Sequence, residues 1–170
     1  MIKIVTPDIE IEEMHEYDYI VFLAGPIVGS ENWQRNVCES IKDLNTDKKI
    51  LIANPRRKIM HDKLSKKEFE KQVLWEMHYM DAAAKNGCLF FWCAAPEKDY
   101  DGNSYARTTR IELGRYLESK KYNVKLNILV GLDIDFPGKE YIDFMLKLYS
   151  VSTGICSFNS HLKKLLKELK

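Results

Sequence analysis

Tyr19-Ile20-Val21-Phe22-Leu23-Ala24-Gly25-Pro26 is the stretch on which the fold turns. Six consecutive uncharged residues, stopped by Gly-Pro, have the length of a strand and none of the polar alternation of a strand with one wet face. Such a run reads as a strand covered on both sides, as in a parallel sheet. The same kind of run recurs at residues 50–53, cut by Asn54-Pro55, at 88–92 and at 126–132. Helical spacing fills the intervals. Trp33, Val37, Ile41 and Leu44 sit about one turn apart within residues 30–44. Residues 65–84 form a long helix opened by the capping box Ser65-x-x-Glu68, and residues 109–120 a third helix. A helix at 139–149 after Pro137, a short strand near Ile155 and a terminal helix from Asn159 complete the chain. Strand alternating with helix implies right-handed crossovers and an α/β fold. The expected architecture is a flavodoxin-like or Rossmann-like doubly wound sheet of five parallel strands, with helices on both faces, in one domain of residues 1–170.

The bulk properties agree with a globular chain. Of 170 residues, 45% are hydrophobic and 30% charged, which excludes a disordered or low-complexity protein. Lys plus Arg number 26 against 25 Asp plus Glu, so nothing in the net charge of +1 draws the chain to a polyanion, and no nucleic-acid partner is expected. Cys38, Cys88, Cys93 and Cys156 form no C-x-x-C pair and the four histidines no H-E-x-x-H, so neither a metal site nor a disulfide framework is expected. The first residues lack the apolar run of a signal peptide, and no stretch of about 18 apolar residues exists to span a membrane. A reducing, cytoplasmic setting follows. The basic amphipathic end, with Leu162, Leu165, Leu166 and Leu169 on one face, reads as a closing helix docked on the sheet rather than a membrane-surface helix.

In a doubly wound sheet, ligands bind beyond the carboxyl ends of the strands. The loops there carry no G-x-G-x-x-G, no G-x-x-x-x-G-K-[ST] and no G-x-S-x-G, so dinucleotide, P-loop and hydrolase-triad readings lose their support and no cofactor is expected. They carry other groups. Gly25 and Pro26 make a stiff turn open to close backbone approach, and the helix from about Ser30 aims its free N–H groups into the same space. After the second run, Arg56 and Arg57 are either anion receivers or a solvated basic turn.

On the long helix, at about 100° per residue, Glu76 falls in the middle of an apolar face made by Phe69, Val73, Met80, Ala83 and Ala84. A carboxyl group there is desolvated, expected to have a raised pKa, and a candidate for chemistry. Trp75 lies beside it, off that face, as a base-stacking or a packing residue. Glu112 completes a second capping box with Thr109, so it either caps its own helix or stands ionised at the sheet mouth. The Gly114 that follows permits close helix–sheet packing. Two carboxyl groups converging from neighbouring crossover helices are what glycosidic-bond chemistry uses, one at the sugar carbon and one for the leaving group's proton.

The ordered set Val21-Phe22-Leu23-Ala24-Gly25-Pro26-Ile27, Trp33, Asn54-Pro55-Arg56-Arg57, Trp75-Glu76, Phe91-Trp92 and Thr108-Thr109-Arg110-Ile111-Glu112-Leu113-Gly114 closely resembles the nucleoside 2-deoxyribosyltransferase-like family, over residues 19 to 116. The resemblance implies transfer between nucleobases, with Glu112 as the nucleophile at the anomeric carbon and Glu76 helping to protonate the departing base. It implies a substrate site made by Gly25, Pro26, Trp33, Asn54, Arg56, Arg57, Trp75, Asp101, Thr108 and Thr109, with a nucleoside or nucleotide and a free base as partners, in a homo-oligomer. The chain departs from the pattern in three places. Relatives carry Asp where Glu76 stands. They carry an Asp just before the nucleophile, where this chain has Thr108 and Thr109 and its nearest acids are Asp99 and Asp101. They also carry an Asn-Met segment for the neighbouring subunit's site, which is not evident near residues 133–144. Water as acceptor would make the protein an N-glycoside hydrolase, in which Arg56 and Arg57 suit a 5′-phosphate. A non-catalytic nucleotide-binding module is the alternative from another class.

Overall fold

The computed structural model describes residues 1–8, 13–57, 64–97, 104–151 and 154–170. Its strands are β1 (Ile2–Val5), β2 (Tyr19–Ala24), β3 (Ile50–Ala53), β4 (Gly87–Cys93) and β5 (Ile128–Leu132). Its helices are α1 (Trp33–Lys42), α2 (Lys66–Lys85), α3 (Arg107–Lys120), α4 (Lys139–Leu148) and α5 (Phe158–Leu169), with a 3-10 turn at Met14–Glu16. The strands form one parallel sheet in the order β1-β3-β2-β4-β5.

The four apolar runs are the four strands β2 to β5. The fifth strand is not at Ile155, which makes only an isolated bridge to Leu132. It is the N-terminal Ile2–Val5, added beside β3 with Ile2 opposite Ile50. An edge strand of four residues with one buried side chain has too short and too wet a pattern to announce itself.

Alternate residues of the buried strands feed two cores. Ile20, Phe22, Leu89, Phe91 and Val130 pack under α2, α3 and α4. Val21, Leu23, Ile52, Phe90 and Leu129 pack under α1 and α5. Helices thus cover both faces, and the sheet is doubly wound. The chain leaves β2 toward β3 on one face and β4 toward β5 on the other, so the order reverses between the carboxyl ends of β2 and β4, where such sheets open a crevice.

The turn after β2 lies close against β4 there. Gly25 has φ +152°, and a Cβ on it would overlap the Trp92 carbonyl oxygen and the Trp33 ring. Gly114, by contrast, has nothing within 4 Å of its Cβ position, so close helix–sheet packing is not its role. The terminal helix docks as its leucines suggest, burying Leu162, Leu165 and Leu169. No helix among the described residues is long and apolar enough to cross a membrane.

The dock of α5 includes a polar group. His161 is fully buried, stacks on Phe90 at 4.3 Å, and places Nε2 2.9 Å from the Phe91 carbonyl oxygen. It occupies a notch that any side chain at 131 would fill, since a Cβ on Gly131 would lie 2.6 Å from the ring. Burial drives its pKa down to about 4. A histidine depressed in the folded state supplies stability above its unfolded pKa and loses it as pH falls through the interval between the two. Between pH 7 and pH 5 the wild type should therefore lose about 2 kcal/mol through this residue. His161→Gln should lose correspondingly less over the same interval. Urea unfolding at the two pH values measures this, and equal losses in both proteins would show that His161 does not carry the effect.

Candidate active site

Above the switch point lies a cavity of ≈ 380 Å³. Its floor is the end of β2, Phe22 and Ala24. One wall is the turn from Gly25 to Val28 with Pro55, another is Phe69, Gln72, Val73 and Glu76 of α2, and the third is Ser104 with the first turns of α3 from Ala106 to Glu112. Three loops that are distant in sequence meet because β2, β3 and β4 are parallel neighbours and send their carboxyl ends to the same edge of the sheet.

The turn after β2 is held from outside. The Pro26 carbonyl accepts from Ser30 Oγ (2.8 Å) and Trp33 Nε1 (3.1 Å). Trp33 is fully buried and packs against Phe90, so it shapes the turn and does not face the cavity. The helix expected to aim N–H groups into this space begins later, at Trp33. Asn32 caps it by accepting from Arg35 N, and none of its residues lines the cavity. The helix whose start does line the cavity is α3.

Arg56 and Arg57 are not a solvated turn, and neither lines the cavity. Successive residues of an extended chain point to opposite sides. Arg56 donates to Gln34 Oε1 (3.0 Å) and to the carbonyls of Ile27 (3.0 Å) and Glu31 (3.1 Å), tying α1 and the turn to β3. Arg57 donates to Gln72 Oε1 (2.7 Å) and pairs with Asp8 (3.2 Å), tying α2. Asn54 accepts from Arg56 N (3.0 Å), closing the turn beneath them, and it too lies off the cavity.

The long helix is rotated from its expected phase. Its buried stripe is Gln72, Trp75, Tyr79, Met80 and Ala83, while Phe69 is 56% exposed at the cavity mouth. Trp75 is therefore a core residue, against Phe22 (6.3 Å) and Tyr79 (4.5 Å), and not a base-stacking one. Trp75 and Tyr79 bury more area than Phe69 and Val73 would, and they take the core beside Ala83. Glu76 moves to the border of the stripe, where its carboxyl faces the cavity with Gln72 Nε2 donating to Oε1 at 2.8 Å. Burial raises its pKa, opposed by that hydrogen bond and by the Arg57 charge.

The second capping box does not form. α3 starts at Arg107 after Ala106, which has φ +55° and gives no side-chain cap. The buried Tyr105, donating to the Ala94 and Ala95 carbonyls (2.9 and 3.2 Å), locks the chain just before and brings the helix start forward. Thr109 is thus inside the first turn, buried and lining the cavity, Thr108 lines it from an exposed position, and Glu112 stands in the second turn. The helix start does not keep Glu112 ionised. Burial, then the charge of Glu76, push its pKa up to about 8 against the pull of Arg115.

Of the residues named from sequence, the cavity unites Glu76, Glu112, Gly25, Pro26, Thr108 and Thr109. Asp99 and Asp101 lie outside the described residues. Gln72, Pro55, Ser104 and Arg107 are additions. Of these, Gln72 was signalled by its i, i+4 spacing to Glu76. Among the described residues, Glu13, His15 and Glu16 could hold a metal ion, but they are exposed and outside the cavity.

The α/β sheet thus carries, at its switch point, a small-molecule-sized cavity faced by two desolvated carboxyl groups. Comparison with known families matches residues 18–127 to "Nucleoside 2-deoxyribosyltransferase like", well over half of the chain, and the protein belongs to that family. Comparison with curated proteins gives no match.

A carboxyl group whose pKa is raised by folding supplies stability below its unfolded pKa and loses it as pH rises through the folded one. Glu112→Gln should therefore be more stable than the wild type at pH 7, on the order of 2 kcal/mol, with the gain fading toward pH 4.5. A helix-capping Glu112 would give the opposite sign, and thermal melts across that range decide between them.

Proposed function

We propose that the protein cleaves and transfers the N-glycosidic bond of a 2-deoxynucleoside or its nucleotide through a covalent glycosyl-Glu112 intermediate, with Glu76 as the acid for the departing base. The observation that carries this reading is the pair itself, two carboxyl groups in one cavity with both pKa values raised, and one raised by the other. Repulsion between two carboxylates disfavours the state in which both are ionised, which suits one group to donate and the other to attack.

A nucleobase nitrogen accepting from Glu76 draws the proton onto that group and leaves Glu112 ionised facing C1′. As the C1′–N bond breaks, its electron pair goes to the base nitrogen, which takes the Glu76 proton, and a Glu112 oxygen bonds to C1′. An incoming base reverses the sequence, with Glu76 taking its proton. Gly25 and Pro26 bound the sugar side, and Thr108 and Thr109 offer hydroxyls where relatives use Asp. The arginines give no support to a 5′-phosphate reader, since both guanidinium groups hold protein partners. The four free cysteines accord with a reducing cytoplasmic compartment.

A panel of ribo- and deoxynucleosides and their 5′-monophosphates, incubated with and without a second free base and separated by chromatography, tests the reading. Exchanged deoxynucleosides are expected. Free sugar would make the protein a hydrolase, and unchanged but bound substrates would make it a binding module. Glu112→Gln should lose at least about a thousandfold in turnover while folded. Near wild-type turnover in that variant would end the covalent mechanism.

Glu76→Gln removes the charge that raises Glu112. The acid limb of the pH–rate profile, which reports ionisation of Glu112, should shift to lower pH, and the alkaline limb should disappear. An activated substrate whose base leaves without protonation should be spared. Equal losses on activated and natural substrates would remove Glu76 from the role of acid.

A further inference from the structure

A chain of four side chains runs from the surface to the cavity. Asp8 Oδ1 lies 3.2 Å from Arg57 Nη1, Arg57 Nε donates to Gln72 Oε1 at 2.7 Å, and Gln72 Nε2 donates to Glu76 Oε1 at 2.8 Å and to the Pro55 carbonyl at 3.4 Å. Gln72 is 2% exposed and the Arg57 side chain 11%, so both are held in place.

An amide can be turned end for end, and its two ends are nearly the same shape. The Arg57 guanidinium removes that freedom, because it has five donors and no acceptor. Only the Gln72 carbonyl oxygen can face it at hydrogen-bond distance. The amide nitrogen must then face the other way, where Glu76 and the Pro55 carbonyl both accept. Asp8 fixes the guanidinium from its far side. The reversed amide would set its nitrogen against a cation and its oxygen against a carboxyl oxygen and a carbonyl, and would turn these three contacts unfavourable.

We propose that Arg57 is a positioning residue: by holding the Gln72 carbonyl it turns the Gln72 amide nitrogen onto Oε1 of Glu76, and so leaves Oε2 as the oxygen that carries the proton. With Oε1 already accepting, a proton on Glu76 resides on Oε2. When it passes to the nitrogen of a departing base, the carboxylate left behind keeps the Gln72 N–H and the nearby Arg57 charge, both of which favour the ionised form. The returning proton, from an incoming base or from water, is taken up at Oε2 again. The charged groups acting on the pair are Arg57 on Glu76 from beyond β3, and Arg115 on Glu112 from within α3, with Glu76 also acting on Glu112. Arg57 stands outside the cavity, so it acts through Gln72 and by its charge, and not by touching a ligand.

The catalytic part of this inference rests on the glycosidic reading. The orientation and titration parts do not, and the test separates them. Full-length protein carrying 13C at the glutamate carboxyl carbons is titrated by NMR, with Glu76 identified as the signal missing in Glu76→Gln. In folded Arg57→Met the Glu76 midpoint should rise by about one pH unit. An unchanged midpoint overturns the proposal.

Arg57→Lys keeps the charge and the Asp8 pair, and guards against a Met variant that does not fold. It lacks the Nε–H that orients the amide. The side-chain NH2 signal of Gln72 should lose its shift and its protection from hydrogen exchange in that variant. On whichever substrate is turned over, kcat should fall by at least about tenfold with KM within about twofold. A wild-type Gln72 signal and a wild-type kcat in Arg57→Lys would each overturn the proposal, as would a loss confined to KM. If no nucleoside is turned over, the glycosidic reading fails while the titration and amide measurements still decide on Arg57.

Discussion

Two largely desolvated carboxyl groups face one cavity, and everything near the site answers to that constraint. Burial opposes ionisation of Glu76 and of Glu112 separately, and their mutual repulsion opposes ionisation of both together. Both effects push the groups toward their protonated forms. Two cations offset this unequally. Arg57 favours the charged form of Glu76 from beyond β3, with the Gln72 N–H adding to it, and Arg115 favours the charged form of Glu112 from one turn along α3. Neither is bonded directly to its carboxyl, so each biases the proton without neutralising the group it biases.

The cations in turn depend on the end of β3. An extended chain sends neighbouring side chains to opposite faces, so the pair Arg56-Arg57 reaches α1 on one side of the sheet and α2 on the other. Each guanidinium grips a glutamine carbonyl, Gln34 in one case and Gln72 in the other. Arg56 also collects the carbonyls of Ile27 and Glu31, which draws the turn after β2 against the sheet. Both groups are largely withdrawn from water, and burial lowers the Arg56 pKa. A buried guanidinium is tolerated only when most of its donors are satisfied, as here, and that requirement ties α1, α2 and the turn after β2 to the end of β3.

The strands were legible because a strand buried on both faces leaves a continuous apolar run, and β2 to β5 each leave one. The edge strand β1 was not, because Ile2 to Ile4 are only partly buried and Lys3 interrupts the pattern. Glu76 and Glu112 were legible as carboxyl groups in places where polar groups do not belong. Their surroundings were less so. The phase of α2 depended on Trp75 and Tyr79 outcompeting Phe69 and Val73 for the core, a contest of areas that equal-weight periodicity does not see. The tasks of Arg56 and Arg57 depended on which side of the sheet each faces and on glutamines 22 and 15 residues away. The start of α3 depended on Tyr105 anchoring to the end of β4, a contact with no local signature.

That displaced start bears on where the fold keeps its local irregularities. α1, α2 and α5 begin on Asn32, Ser65 and Ser157, each with a side chain accepting from the first turn. α3 begins on an alanine in the left-handed region with no such acceptor. That conformation costs an L-residue about 1 kcal/mol, and the missing cap about as much again. Gly25, in a conformation and a space that only glycine fits, lies across the same cavity. The raised carboxyls add a further loss. Strained backbone at Ala106, an uncapped helix and desolvated acids gather on one cavity, while α1, α2 and α5 are capped. α4 also lacks a side-chain cap, but it starts on Gly138, which takes the left-handed conformation without a Cβ penalty. A site held in this way is maintained by the rest of the structure, through Tyr105 below α3, Trp33 behind Gly25 and Arg57 behind Gln72. None of those three residues lines the cavity. They keep the ligand-facing ones in conformations that local preferences would not choose.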